Sequence, residues 1–166
     1  KKAKLRTDIL SRKKTDVFNL PIAEGLWGSK ATYDSIMARI YTSTLGEKKY
    51  LYSCLNFSLL ANAVENVTKQ PLNTFVQDGI FAPLGAYHTM YRPLEKFPQY
   101  QIAYTEVDTY LRRQHIHGYV HDELAAFSGG VQGNAGLFWN ANDLCKLFQM
   151  WLNGGVYGGD RYLKQS

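Results

Sequence analysis

The sequence lacks several features that would place a chain in a narrow class. Its two cysteines, Cys54 and Cys145, form neither a Cys-x-x-Cys pair nor a Cys/His metal spacing, and they leave the redox compartment open. No apolar run approaches the ~18 residues that a membrane helix needs. The chain opens with Lys1-Lys2 and shows no signal-peptide pattern. We therefore expect a single globular domain that is part of a longer polypeptide, with no metal, cofactor or membrane span.

Positive charge is concentrated at the N terminus. Residues 1–14 hold seven Lys and Arg against one Asp, so this segment accounts for the formal net charge of +5. No aromatic residue interleaves with these charges, which argues against a nucleic-acid stacking surface. We predict a basic, irregular or extended lead-in over residues 1–28, and no nucleic-acid partner.

Apolar residues recur at helical spacing in several segments. The first predicted helix has Thr32 as its N-cap. Its apolar face is formed by Tyr33, Ile36, Met37 and Ile40. The second predicted helix ends before Pro71, and its apolar face is formed by Phe57, Leu60, Val64 and Val67. Pro71 suits the first turn of a third helix, whose inward residues are Leu72, Phe75, Val76 and Ile80.

The clearest helical pattern lies near the C terminus. Asn140 is a good N-cap, and Asp143 is placed to act as a capping-box acid. Gly154 and Gly155 end the helix. The apolar stripe is formed by Leu144, Leu147, Phe148, Trp151 and Leu152. Three or four helices with long connections and few strands favour the helical lobe of an α+β protein.

A strip rich in His, Asp and Glu lies between the third and last predicted helices. It contains His115, His117, His121, Asp122 and Glu123. In an extended strand the three histidines would share a face, and imidazole with carboxylate is a zinc or iron ligand set. The alternative, which we favour, is a loop in which His and Asp make structural hydrogen bonds.

A glycine-rich stretch, residues 128–136, follows this strip and contains Gly129 and Gly130. It lacks the Gly-Lys-Ser/Thr ending of a phosphate loop. Glycine lets the backbone pass close to a ligand or another segment. We predict a loop that lines a cleft or a tight crossing beneath one.

Tyr52 precedes the second predicted helix. A helix N-terminus favours the phenolate and would lower the pKa of this tyrosine, as a general base requires. The alternative is simple packing, since the chain has 12 tyrosines. Cys54 has the chemistry of a nucleophile, but no feature assigns it a His partner.

Several segments taken together are similar to one family. Residues 52–60, 64–71 and 83–85 resemble the second-motif region of serine β-lactamase-like hydrolases, which include class C β-lactamases, DD-peptidases and related esterases and amidases. Residues 118–122 and 129–138 are similar to a cell-wall branch of penicillin-binding-protein-like carboxypeptidases and muropeptide amidases. Some members of that branch are fused to a family 3 β-N-acetylglucosaminidase.

The resemblance implies a fold and a chemistry. Residues 29–166 would form the mostly helical lobe of a β-lactamase/transpeptidase-like domain, truncated at both ends, with its sheet lobe largely missing. The family uses a Ser-x-x-Lys serine that attacks a carbonyl, a Tyr-x-Asn motif and a late Lys-Thr-Gly or His-x-Gly motif. Tyr52 is the implied catalytic residue. The implied substrate-binding residues are Cys54, Gly129, Gly130 and Asn134.

Three places depart from the family pattern. Ser11 and Lys14 have the Ser-x-x-Lys spacing but lie too close to Tyr52 for the family layout. Cys54 stands where the family usually has Asn or Asp, and Asn134 stands where this branch often has His.

The implied function is that of a fragment of a bacterial serine hydrolase. Its substrate would be an amide or ester bond of a cell-wall peptide or muropeptide, and its location the periplasm or cell envelope. The alternative is a catalytically degenerate binding or structural module attached to a glycoside hydrolase.

Overall fold

A computed structural model describes residues 5–164 of the chain. Within that range, the α-helices are α1 Lys30–Tyr41, α2 Leu55–Thr68, α3 Leu72–Val76, α4 Glu123–Phe127 and α5 Ala141–Leu152. A π-helical turn over Gln77–Phe81 continues α3. Short 3-10 turns span Pro93–Glu95 and Gln99–Gln101. None of the helices in the described range has the length and apolar character to cross a membrane.

The strands of residues 5–164 pair into small antiparallel sheets of two strands each. The pairs are β1 Leu20–Ala23 with β2 Leu26–Gly28, β3 Met90–Tyr91 with β6 Leu137–Phe138, β4 Tyr104–Asp108 with β5 Gln114–His117, and β7 Val156–Tyr157 with β8 Asp160–Arg161. The predicted α+β class, mostly helical and without a large sheet in the described residues, is confirmed.

The described chain divides into two compact units. The first comprises residues 5–59 and 92–136, and the second comprises residues 60–91 and 137–164. Helix α2 therefore contributes residues to both.

The core of the first unit is built on the β1–β2 hairpin. Ile22 and Leu26 are fully buried, and Phe127 of α4 belongs to the same apolar cluster. A Cβ on Gly28 would lie 2.9 Å from the Phe127 ring, so glycine is what allows this close approach. The segment predicted as irregular or extended thus supplies part of a hydrophobic core.

A buried arginine connects the turn between β4 and β5 to the residues that follow β5. The side chain of Arg112 is fully buried, and its guanidinium donates to the backbone carbonyls of Val120, at 2.6 Å, and His121. Its charge is balanced by Asp108 at 2.7 Å and Glu106 at 3.2 Å. Burial of a guanidinium requires that its donors and charge be matched in this way.

The second unit packs α5 beside the π-helical turn. Its core is formed by Phe81, Leu84, Ala86 and Met150. Asn140 accepts the N–H of Asp143 at 2.8 Å, which confirms the predicted N-cap of α5. Gly154 and Gly155 donate to the carbonyls of Trp151 and Met150 and end the helix as predicted.

The predicted capping-box role of Asp143 is wrong. Its buried carboxylate accepts the backbone N–H of His88 at 2.7 Å and lies 3.2 Å from the Lys146 ammonium. The carboxylate therefore holds the residues that follow the π-helical turn. The His88 N–H comes from a distant part of the chain, and it takes the place of the local N–H of the helix start as a partner of this carboxylate.

The N-cap of α1 also differs from the prediction. Ser29, not Thr32, has the extended backbone of an N-cap, and its hydroxyl oxygen accepts the N–H of Thr32 at 3.3 Å. Ser29 is itself a good capping residue, so residue preference alone did not separate the two candidates.

The predicted apolar faces have the expected helical spacing, but several are exposed. On α2, Leu60 is 58% exposed and Val67 is 83% exposed. Phe75 of α3, predicted to point inward, is exposed, whereas Leu72 is buried as predicted. On α5, the stripe residue Leu152 is exposed. Helical spacing shows which side chains share a face, but it does not show what covers that face.

Candidate functional site

The predicted catalytic tyrosine lies in an irregular segment just before α2. The Tyr52 side chain is 73% exposed, and the Cys54 thiol donates to its hydroxyl oxygen over 3.8 Å. The carbonyl of Cys54 accepts the N–H of Phe57 at 3.1 Å and so begins the helix. Local chain geometry therefore places the phenol and the thiol side by side.

This pairing acts on the pKa of Tyr52. The hydrogen bond with Cys54 raises that pKa above its ordinary value, and the electrostatic interaction with Cys54 adds to the effect. The predicted lowering of the Tyr52 pKa is wrong, because the neighbouring Cys54 raises it. A catalytic role for Tyr52 stays a prediction.

Gly129 and Gly130 terminate α4. Asp122 starts this helix by accepting the N–H of Ala125 at 2.7 Å. At the other end, the N–H groups of Gly129 and Gly130 donate to the carbonyls of Ala126 and Ala125 at 3.0 and 2.8 Å. Both glycines have positive φ, 82° and 85°, as a helix-ending turn of this type favours. Their conformation is therefore explained by the end of α4, whatever they bind.

Side chains also hold the glycine turn. The Ser128 hydroxyl lies 2.8 Å from the carbonyl oxygen of Ala125 and 2.7 Å from that of Val131, and it donates its single proton to one of them. The Arg92 Nε donates to the carbonyl of Gly129 at 2.8 Å. The sequence analysis missed Arg92, because 37 residues separate it from Gly129 and no local motif predicts the contact.

Asn134 lies in the same glycine-rich stretch. Its Oδ1 atom is buried, and no donor within residues 5–164 contacts it. Leaving a buried acceptor unpaired costs about 1–3 kcal/mol. Nearby in sequence, Gln132 is also buried, and its side-chain amide donates to the Tyr33 hydroxyl at 3.0 Å. Asn134 is therefore the predicted site residue with a buried side-chain acceptor that no donor of the described residues satisfies.

The five predicted site residues all belong to the first unit, where they form two groups. Tyr52 and Cys54 contact each other, and Gly129, Gly130 and Asn134 share one loop. Across the described residues, no hydrogen bond joins the first group to the second. Their substrate-binding roles stay predictions.

The histidines of the strip are placed by structural contacts. The ring of His117 stacks on Tyr104 with centroids 4.0 Å apart, and its Nε2 lies 2.6 Å from the Ile102 carbonyl oxygen. His115 meets the same tyrosine edge-on. In the range 5–164, no three His, Cys, Asp or Glu side chains converge to hold a metal ion. The predicted structural hydrogen bonds are confirmed for His117 and for Asp122, but the predicted loop is wrong for His115 and His117, which lie in strand β5.

Ser11 and Lys14 do not form a Ser-x-x-Lys pair. Residues three apart face each other on a helix, whereas Ser11 bridges to Trp27 in antiparallel fashion. The Ser11 hydroxyl donates to the carbonyl of Lys13 at 2.7 Å, and the Lys14 ammonium lies 5.3 Å from the Trp27 ring centroid. The described residues therefore contain no serine nucleophile of the predicted kind at this position.

Comparison with known proteins decides the family. The Beta-lactamase family model matches residues 17–166. The chain belongs to the β-lactamase family. This β-lactamase-family chain is 46% identical over 122 residues to an Escherichia coli K12 protein named "Putative D-alanyl-D-alanine carboxypeptidase". That match covers 66% of the chain and 28% of the relative, so the chain spans under a third of the length of this relative.

Solved structures show the same fold. The β-lactamase-family chain matches a D-amino acid amidase from Ochrobactrum anthropi SV3 with a TM-score of 0.54 and 19% identity, over 95% of the chain and 46% of the amidase. It matches a penicillin-binding protein homologue from Pyrococcus abyssi with a TM-score of 0.53 and 15% identity, over 80% and 28% of the respective chains. The predicted β-lactamase and penicillin-binding-protein-like recognition is confirmed.

Proposed function

We propose that the full-length protein is a serine hydrolase that cleaves amide or ester bonds of cell-wall peptides through an acyl-enzyme. The observation that carries the proposal is the 46% identity to the Escherichia coli relative and its printed carboxypeptidase name. Membership of the β-lactamase family supports hydrolysis of this general kind.

The proposed chemistry is acyl transfer. A serine oxygen attacks the carbonyl carbon, a base accepts the serine proton, and backbone N–H groups stabilise the oxyanion. Water then attacks the acyl-enzyme and releases the product acid. Ser11 lies in an antiparallel bridge to Trp27 and its hydroxyl donates to the Lys13 carbonyl, so the proposed nucleophile is a serine other than Ser11.

Tyr52 is proposed to take part in the proton transfer. Its phenol is exposed and stands at the position that resembles the family tyrosine. The raised pKa means that little phenolate is present at neutral pH, so Tyr52 would act as a proton carrier next to another base.

The glycine-rich loop is proposed to bind the substrate. Gly129 and Gly130 are rigidly placed by the end of α4 and by Arg92. The buried Oδ1 of Asn134 provides an acceptor that a substrate amide N–H would satisfy.

Acylation by a covalent probe tests the proposal. The full-length protein is incubated with a fluorescent penicillin or an acyl phosphonate, and the adduct is measured by mass spectrometry. We expect one adduct per molecule in the wild type and slower formation in Tyr52→Phe. Tyr50→Phe is the matched control, because Tyr50 is a neighbouring tyrosine that is 95% exposed. Absence of an adduct at high probe concentration would contradict the proposal.

A second candidate function is a degenerate module that binds peptidoglycan fragments or supports a neighbouring domain. The contact between Cys54 and Tyr52 favours it, since it stabilises the protonated tyrosine. Calorimetry with muropeptides distinguishes the two candidates. Binding without turnover and without a penicillin adduct is expected of such a module.

We further propose the bacterial periplasm or cell envelope as the location, because cell-wall peptides occur there. A glycosidase domain in the same polypeptide is also proposed. Fractionation of the source cells, and the mass and glycosidase activity of the intact protein, test these two points.

A further inference from the structure

Arg92 has an unusual backbone conformation for an arginine. Its φ and ψ angles are 50° and 60°, in the left-handed region that non-glycine residues rarely adopt. The next residue is Pro93, which restricts the preceding residue to extended conformations. Such a conformation persists only where the surrounding contacts hold it.

The contacts that hold Arg92 lead to the glycine turn. Its Nε donates to the carbonyl oxygen of Gly129 at 2.8 Å, and its Nη1 lies 3.5 Å from Glu95 Oε1. An added Cβ on Gly129 would lie 3.7 Å from Nη2, and one on Gly130 would lie 3.5 Å from Cγ. The arginine side chain therefore lies beside both glycines, close enough that a Cβ on either would be in van der Waals contact with it.

We propose that Arg92 is a positioning residue that sets the orientation of the Gly129–Gly130 turn and, through it, of the loop that leads to Asn134. This inference rests on the proposed function for its catalytic consequence. The N–H of Gly130 donates to the Ala125 carbonyl at 2.8 Å, so the end of α4 holds one edge of the peptide between the two glycines. A charge-assisted hydrogen bond from Arg92 holds the other edge, at the Gly129 carbonyl, and Glu95 lies 3.5 Å from the same guanidinium.

The role of Arg92 is indirect. The side chain bonds to a backbone carbonyl and to a glutamate of its own 3-10 turn. Its loss would therefore weaken substrate binding by disordering the loop, while the rate of the chemical step would change little.

Arg113 provides a matched control. It also has a positive φ, 55°, and its Nε donates to a backbone carbonyl, that of Tyr110, at 3.2 Å. That carbonyl belongs to the β4–β5 connection and not to the glycine turn. Arg92→Lys and Arg113→Lys each keep the charge and remove the Nε donor. They differ in the loop whose carbonyl loses that donor.

Two measurements on the full-length protein test the inference. Hydrogen exchange of the 129–134 amides is compared among wild type, Arg92→Lys and Arg113→Lys. Acylation by fluorescent penicillin is resolved into its binding constant and its maximum rate. For Arg92→Lys we expect about tenfold faster exchange and about tenfold weaker binding, with the maximum rate unchanged. Arg113→Lys should match the wild type in all three quantities.

The outcomes separate this inference from the proposed function. Unchanged exchange of residues 129–134 in Arg92→Lys overturns the inference, whatever the activity. An equal loss in Arg113→Lys also overturns it, because the effect would then be general destabilisation. If the wild type forms no adduct, the proposed function fails, and the exchange data still decide whether Arg92 orders the loop. Glu95→Gln gives a second, milder variant with a smaller expected change in exchange if Arg92→Lys fails to fold.

Discussion

The Nε of Arg112 lies 2.7 Å from Oδ2 of Asp108, and both side chains are buried. The same carboxylate accepts the backbone N–H groups of Tyr110, Leu111 and Arg112, at 2.9, 2.9 and 3.1 Å. Burial alone would raise the pKa of Asp108, but the hydrogen bonds from Arg112 and these N–H groups outweigh it and lower the pKa to about 2. The ionised pair is therefore a structural element of the first unit.

This pair predicts a dependence of stability on acid pH. The ordinary pKa of Asp in an unfolded chain is about 3.9, so the folded state binds the Asp108 proton more weakly than the unfolded state. The stabilising contribution is complete above about pH 5 and is lost as the pH falls toward 2. Asp108→Asn should remove part of this dependence and lower the free energy of unfolding by about 3 kcal/mol, because the buried Arg112 loses its buried ionic partner and keeps only the more exposed Glu106.

Urea denaturation followed by tryptophan fluorescence, at several pH values, measures this effect. Asp8→Asn is the control, since the Arg6–Asp8 pair has a similar shortest N···O distance, 2.6 Å, but is exposed. Its unfolding midpoint should stay close to that of the wild type. Equal destabilisation by the two substitutions would refute the assigned role of the buried pair.

Replacing each of the two adjacent glycines after α5 by alanine should lower the stability by different amounts. Gly154 and Gly155 have φ values of 62° and 88°. A Cβ on Gly155 would lie 2.6 Å from the backbone oxygen of Leu163, whereas one on Gly154 would meet nothing within 4 Å. Gly154→Ala should cost about 1 kcal/mol of unfolding free energy from backbone strain alone. Gly155→Ala should cost about 3 kcal/mol, and thermal denaturation of the two variants should rank them in that order.

Two serines of the α1 region should respond differently in stability when each is replaced by alanine. Ser29 caps the helix and is buried, whereas the Ser35 hydroxyl bonds back to the Ala31 carbonyl at 2.8 Å within the helix. Ser29→Ala should destabilise the protein by about 1 kcal/mol. Ser35→Ala should be neutral or slightly stabilising, because alanine has the higher helix propensity. Chemical denaturation checks both, and a larger loss at Ser35 would argue against Ser29 as the cap.

Cys54→Asn predicts a gain of activity if the proposed function is correct. The substitution restores the Tyr-x-Asn pattern and removes the thiol that raises the pKa of Tyr52. Because a lower pKa leaves more phenolate at a given pH, the rise of the acylation rate should move to lower pH. We expect a two- to tenfold faster reaction with fluorescent penicillin, about the effect of one hydrogen bond.

Cys145→Asn is the control for this gain. Cys145 is also an exposed free cysteine, but it lies on α5. It should leave the rate and its pH profile unchanged. A Cys54→Asn rate equal to or below that of the wild type would show that the thiol is not what limits Tyr52.

Local signals explain which elements were predictable. The ends of α5 follow from Asn140 and the glycine pair, because capping groups lie within a few residues of the N–H and C=O groups that they satisfy. Asp143 shows the limit of this reasoning. Its position suggests a capping box, yet its carboxylate bonds to His88, 55 residues away.

The candidate site shows the same division. The identity of Tyr52 and the glycine-rich loop as site candidates came from sequence patterns. The direction of the Tyr52 pKa shift depended on where the Cys54 thiol lies, and the support of the glycine turn depended on Arg92. Neither follows from spacing, because side-chain orientation and long-range contacts are properties of the packed chain.

By itself, the sequence determined the segments that form α1, α2, α3 and α5, the ends of α5 and the family resemblance, since these depend on residue type and short-range spacing, but it did not predict the short helix α4. Only the tertiary structure decided which apolar faces are covered, how Asp108 and Arg112 neutralise each other, and that Gly129 is held by Arg92. Those outcomes depend on which groups, distant in sequence, contact a given donor, acceptor or surface in the folded chain. The free energy of such contacts comes from packing and desolvation, which no local pattern records.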